Sequence, residues 1–375
     1  MITNQRAELA LATLQHQPVK GIPIGLIHVM EHAVIEHLAG ARPGSYRLDP
    51  YKTYIDMLER VGVCMVDQML MENPLSMGDH GYEADSDTSL ASSGPIVRDG
   101  IVIDSPEACV DHMERFLFPQ IQADIRNFRH EAHVQTVINA ESRDQQLLGP
   151  NILKTGHGVL TFPCLLYTHY GYESFFMAYA LYPEVMEHLF SLQADLAVLR
   201  NKAVVAAYQK AGRPLYHRLD HDMADSRGLL VSLASLEKLW LQHFCRSIAP
   251  AVAAGFKLLW HCDGNLMAMI PALLACGVNG FQGFQYEDGM DYVKICRMKA
   301  KSGDPLVIQA GVSVTRELPL GTPADVKRQI DFLVANGPPT GLFLSFSSSC
   351  APGTPLINIE TAVAGMQYYQ QYGRS

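Results

Sequence analysis

The chain has no CxxC pair, no GxGxxG turn, no lysine- or arginine-rich block and no run approaching the ~20 apolar residues of a membrane span. Each absence closes off a class. Eight scattered cysteines in a chain of 375 residues predict reduced thiols in a cytoplasmic protein rather than a disulfide framework. Without a glycine-rich phosphate turn after the first apolar segment, where His28-Val29-Met30-Glu31-His32 stands instead, a dinucleotide-binding open sheet is disfavoured. A formal net charge of −9 with no basic cluster argues against nucleic acid. The opening Met1-Ile2-Thr3-Asn4-Gln5-Arg6 does not read as a signal peptide, and nothing suggests a membrane partner.

What is present is alternation. With 48% hydrophobic residues the chain can bury a large single core. Strand-like segments fall at 22–27, 63–69, 134–139, 158–162, 215–219, 256–261, 278–284, 306–310 and 342–346. Between them lie apolar residues at helical spacing, such as Leu236, Leu239, Trp240, Phe244 and Ile248. Thr322-Pro323-Ala324-Asp325, Thr354-Pro355 and Ser105-Pro106-Glu107 read as helix starts, a cap followed by proline in the first turn. About eight strands alternating with helices predict an α/β chain, a distorted (β/α)8 barrel in a single domain over residues 1–375. It would carry an N-terminal helical extension and a long loop insertion at 77–98, rich in Gly, Asp and Ser. A doubly wound open sheet is the alternative.

Candidate chemistry sits at strand ends, where a barrel of this kind displays it. Leu258-Leu259-Trp260 runs into His261-Cys262-Asp263-Gly264, and Leu342-Phe343-Leu344-Ser345-Phe346 runs on to Cys350. A histidine and a thiolate from two strand ends can share a soft metal ion such as zinc; the bland alternative is a hydrogen-bonded core histidine and an inert buried thiol. Residues two apart on an extended strand point the same way, which puts His261 and Asp263 together and Cys262 away, unless a turn brings Cys262 around. His217, Asp220 and Asp222 follow another apolar segment and are candidate catalytic groups; a solvated loop with an ion pair to Arg218 or Arg227 is equally consistent. His28, His169, Tyr170, Gln282 and Tyr286 are candidate substrate contacts. Trp260, Phe284, Tyr286 and Tyr170 predict a compact, partly aromatic pocket. Glu72 could add a metal ligand, and Arg316 reads better as a loop bridge than as a carboxylate clamp.

Several stretches resemble the uroporphyrinogen decarboxylase superfamily, which includes zinc-dependent, corrinoid-linked methyltransferases. They are Gly21-Ile22-Pro23-Ile24-Gly25 with Glu36-His37-Leu38-Ala39-Gly40, Gly171-Tyr172-Glu173 through Tyr182-Pro183-Glu184-Val185, Gly311-Val312-Ser313 with Leu318-Pro319-Leu320-Gly321-Thr322-Pro323, and Thr354-Pro355-Leu356-Ile357. The methyltransferase branch holds zinc with a His-x-Cys pair and a distant Cys. His261 and Cys350 match two of those positions, while Asp263 stands at the third and the cysteine sits one place earlier at Cys262. Asp is a competent zinc ligand, so the resemblance implies a His261, Asp263, Cys350 site. It implies a zinc-dependent methyltransferase that moves a methyl group between a small methylated substrate or thiol and a cobalamin carried by a separate corrinoid protein, with a homodimer as a possible assembly. Two alternatives stand beside it: a metal-free decarboxylase of a small organic acid, and a barrel that binds ligand without catalysis. The arginine-rich segment with which the decarboxylase branch grips a porphyrinogen is missing between residues 22 and 36, which argues against that substrate.

Overall fold

All five residues of Leu342-Phe343-Leu344-Ser345-Phe346 are buried, as expected of a strand covered on both faces. The computed structural model describes residues 5–71 and 95–374 and builds such segments into a curled parallel sheet. In chain order the parallel strands are β1 (Met65–Val66), β2 (Leu153–Lys154), β3 (Gly156–His157), β4 (Tyr216–Asp220), β5 (Lys257–His261), β6 (Gly280–Gln282), β7 (Val307–Val312) and β8 (Leu342–Phe346). Strands β3 to β8 form a six-stranded sheet in the spatial order β8-β7-β6-β5-β4-β3, every pair parallel. Beyond one edge, β1 pairs in parallel with β2, which only Thr155 separates from β3. Beyond the other edge, Ile24 bridges in parallel to both Leu344 and Val63. The wall is barrel-like, and helices follow the strands.

Close approach of neighbouring strands explains one glycine. A Cβ on Gly280 would lie 1.9 Å from the Val307 carbonyl oxygen, so only glycine fits where β6 meets β7. The helix Pro323–Asn336 starts in a full capping box between Thr322 and Asp325, and Ser105 caps Pro106–His112 through the Ala108 N–H. Thr354 instead hydrogen-bonds the Ala351 carbonyl, and the helix Leu356–Tyr372 starts without a side-chain cap. A helix at Gln5–Leu14 precedes the first bridge. One hydrophobic cluster extends from Ile22 to Met366. Among the described residues no helix is long and apolar enough to cross a membrane.

Three expectations are corrected. Residues 134–139 are not a strand but part of the helix His130–Leu148, whose buried Val134, Val137, Glu141 and Leu148 recur at helical spacing. The β-branched run Val134-Gln135-Thr136-Val137-Ile138 favours a strand locally, and packing of one helical face overrides it. The strand expected at 158–162 lies earlier, in β2 and β3. Cys245 and Cys276 are disulfide-bonded, joining the helices Leu241–Ala253 and Ile270–Cys276, while the remaining six cysteines are free. Most of the expected insertion at 77–98, and Glu72, lie outside the described residues; Val97–Arg98 pairs with Ile101–Val102 as a hairpin.

Candidate active site at the strand ends

Alternation along β4 decides which side chains face the strand-end cavity. Tyr216, Arg218 and Asp220 share one face. The Tyr216 hydroxyl accepts from Gln309 Nε2 at 2.8 Å. The Arg218 guanidinium is satisfied on three sides: Nε donates to Asp67 Oδ2 at 2.8 Å, Nη1 to Asp220 Oδ2 at 2.6 Å and Nη2 to Gln68 Oε1 at 2.9 Å. Burial opposes the charge on Arg218, but Asp67 and Asp220 outweigh it. Burial likewise works against an ionised Asp220. The hydrogen bond from His157, at 3.4 Å, and the charges of His261 and Arg218 prevail and hold its carboxyl well below the usual range.

Asp67, Arg218 and Asp220 line a cavity of about 210 Å³. Asp220, His261, Gln282 and Phe346 are the last residues of β4, β5, β6 and β8, and all four line it, together with His28, Gln68 and Gln309. Ser348 and Ser349 close the side after β8, and Ser349 Oγ lies 2.7 Å from His28 Nδ1.

Beside the cavity, ligand atoms of Asp222, His261 and Asp263 all lie within 4.8 Å of one another. His261 Nε2 is 3.9 Å from Asp263 Oδ1. Asp222 Oδ1 accepts the Asp263 backbone N–H at 2.7 Å, and the Asp222 carbonyl accepts the Tyr167 hydroxyl at 2.8 Å. His261 Nδ1 and Asp263 Oδ1 are buried with no protein hydrogen-bond partner. Burial raises the Asp263 carboxyl; His261 pulls the other way, and Asp222 and Asp220 add to the rise. Gly283 (φ +84°) keeps room for the imidazole, since a Cβ there would fall 2.5 Å from His261 Nδ1. Two carboxylates and one imidazole, with two polar atoms unsatisfied, are the donor types that hold zinc or another borderline divalent cation.

The remaining expected residues fall elsewhere. The Cys262 thiol is outside the Asp222–His261–Asp263 cluster of side chains: its Sγ accepts the Met223 N–H at 3.3 Å and donates to the Asp263 backbone carbonyl at 3.0 Å. Cys350 is outside the Asp222–His261–Asp263 cluster; its backbone pairs with His28 and Met30, and burial pushes its thiol up to about 11. His217 alternates to the far side of β4, where Nε2 accepts the Leu160 N–H at 3.0 Å and burial drives its pKa well below the usual value. Tyr170 bonds to His112 Nδ1 at 2.8 Å, and the His169 carbonyl accepts Arg98 Nε at 3.0 Å; neither lines the cavity. The Tyr286 hydroxyl donates to the Gly311 carbonyl at 3.0 Å, also off the cavity. Arg316 is exposed on its loop.

The aromatic pocket is a correction. Trp260, Phe284 and Tyr170 are fully buried in the core, and Trp260 packs on Phe162, Trp240 and Phe244 because it alternates with His261. The cavity is polar, with Gln68, Gln282 and Gln309 as its amides, and Gln282 Oε1 is buried without a partner. The sequence reading missed Asp67, Gln68, Gln309 and Ser348, and treated Arg218 only as an ion-pair partner. Asp67-Gln68 directly follow β1, much as Cys262-Asp263 follow β5.

No protein-family profile matches the sequence, and no curated protein matches it. Among solved structures, the chain is similar to a methyltransferase from Methanosarcina mazei with a TM-score of 0.58 and 16% identity, covering 97% of this chain and 98% of that one. At that identity the likeness is one of fold, and it extends over essentially the whole chain.

Proposed function

We propose that this chain is a zinc-dependent methyltransferase on a complete (β/α)8 ring, moving a methyl group between a small methylated substrate or thiol and a cobalamin carried by a partner corrinoid protein. The ring reading is supported by the Ile24 bridges and the β1–β2 pair, which together lead from β8 round to β3. The reaction reading is supported by the fold likeness to a methyltransferase and by the resemblance of the sequence segments. The observation that carries it is the convergence of Asp222, His261 and Asp263 beside a polar strand-end cavity, with Asp263 Oδ1 buried and unsatisfied 3.9 Å from His261 Nε2.

Those three residues would hold the metal, with Cys350 outside the set. Bound zinc supplies Lewis acidity, stabilising a thiolate or a departing oxyanion at neutral pH. The chain's own groups then position and orient. Tyr167 and the Asp263 N–H fix Asp222, and Ser348 Oγ reaches Asp263 Oδ2 at 3.4 Å. Arg218 and His157 keep Asp220 ionised at the cavity wall, placed to orient a substrate or stabilise positive charge on it. Gln282 Oε1 offers an acceptor to a substrate N–H or O–H. Among the described residues lining the cavity, a multiply anionic substrate finds no free guanidinium, since Arg218 is committed to Asp67, Gln68 and Asp220.

One observation favours a second reading. An ionised Asp220 facing a cavity also suits stabilisation of a cationic intermediate in a metal-free decarboxylation of a small organic acid. The test is to assay methyl transfer from methylcobalamin to a panel of small thiols with zinc-loaded and chelator-treated protein. Transfer that needs zinc supports the methyltransferase. Decarboxylation of a small acid by metal-free protein, without methyl transfer, overturns it.

A further inference from the structure

A second concavity lies on the outer face, remote in its lining from the strand-end cavity. We propose that the groove between the helices Phe118–Arg126, His130–Leu148 and Pro183–Ala211 binds a small organic anion, a carboxylate or phosphate group on an apolar body. The groove encloses about 630 Å³, and none of its lining residues lines the strand-end cavity. That volume falls in the range of small-molecule sites, which are typically ~300–1,000 Å³.

Its chemistry is cationic in a chain whose net charge is −9. Arg129 and Arg200 line it against one carboxylate, Asp124. The Arg200–Asp124 separation is 3.9 Å, at the outer limit of an ion pair, and Arg129 forms no salt bridge to any described carboxylate. Two more polar atoms on the lining are buried and unsatisfied, His133 Nε2 and Thr161 Oγ1. Burial, reinforced by the Arg200 charge, keeps His133 neutral, so its Nε2 can donate as the N–H tautomer. Two guanidiniums, an imidazole N–H and a hydroxyl match the several acceptor oxygens of a carboxylate or phosphate. Phe128, Val137 and Leu196 supply an apolar floor for the rest of the ligand.

The groove is also tied to the strand-end cavity. Gly158, Val159 and Thr161 belong to its wall, and they follow directly on β3, whose last residue His157 bonds to Asp220. The Asn201 amide clamps Thr161 from both sides, accepting its N–H at 2.9 Å and donating to its carbonyl at 2.8 Å, which ties this stretch of wall to the helix Pro183–Ala211.

Calorimetric titration of the full chain with benzoate, phenyl phosphate and benzyl alcohol tests the site. Saturable binding of at least one anion, with benzyl alcohol inert, is expected. The double variant Arg129→Met/Arg200→Met should weaken it at least about tenfold, and His133→Phe about threefold. Both arginines are at least part-exposed, so the double variant should melt near the wild-type temperature, and His133→Phe provides an independent check. Binding of phenyl phosphate alone identifies a phosphate ligand, and binding of benzoate alone a carboxylate. Binding should persist unchanged in His261→Ala, which separates this site from the proposed metal chemistry. No binding of either anion up to about 10 mM, or equal binding by wild type and both variants, overturns the proposal.

Discussion

Lys154 on β2 and Arg218 on β4 are both buried cations in the parallel strands, and they are neutralised differently. Lys154 meets one carboxylate, Glu141, at 3.2 Å, and donates to the Thr155 carbonyl at 2.5 Å; both side chains of the pair are at most 5% exposed. The cluster is closed and its charges cancel. Arg218 meets two carboxylates, and the second, Asp220, is about one-third exposed on a cavity. Its charges do not cancel, and the surplus negative charge lies beside Asp222, His261 and Asp263. A one-to-one buried pair specifies packing. A buried cation with a spare carboxylate facing space keeps a charged group ready for a ligand.

Substitution should separate the two. Lys154→Met and Arg218→Met each leave a buried carboxylate uncompensated, and each should cost about 3–5 kcal/mol in urea unfolding. The double replacements then diverge. Lys154→Met with Glu141→Leu should regain the stability and leave metal content and turnover unchanged. Arg218→Met with Asp67→Leu should regain much of the stability yet lose turnover by about 100-fold or more, because Asp220 loses its partner. Equal turnover in both double variants would erase the distinction.

At the open cluster, His261→Ala should weaken zinc binding by more than about 100-fold in a competition titration. Tyr167→Phe removes only the hydroxyl that fixes the Asp222 carbonyl, a loss of about 1 kcal/mol, so zinc affinity should fall about fivefold with the fold intact. Cys350→Ser should leave metal content unaltered, and depletion there would return the thiol to the ligand set.

His217 gives a pH test on the closed side of the sheet. Its folded pKa is depressed by burial, so at neutral pH it is uncharged in both states. Below about pH 6.5 the unfolded chain takes up a proton that the folded chain refuses, and stability falls as the pH drops. His217→Gln should flatten that part of the urea-midpoint profile.

Much of this wall is legible in the sequence, and the reasons are local. The run at β8 has the same bounds in both readings because five apolar or small residues end at serines. The Thr322–Asp325 capping box is written in four consecutive residues. The shared direction of His261 and Asp263 follows from period two. The misread segment at 134–139 shows where local preference loses, since its valines serve one face of a long helix. Asp222 was marked as a candidate, but its approach to Asp263 depends on the path of the loop after β4. The Arg218–Asp67 pair spans 151 residues and leaves no local trace in either segment.

The most direct test of the central claim is the metal content of the full chain, produced in zinc-replete medium and purified without chelator. Elemental analysis should find about one zinc ion per chain in wild type and almost none in Asp222→Ala. Wild-type protein without stoichiometric zinc, or full zinc retention in Asp222→Ala, would contradict the assignment of Asp222, His261 and Asp263 as the metal site.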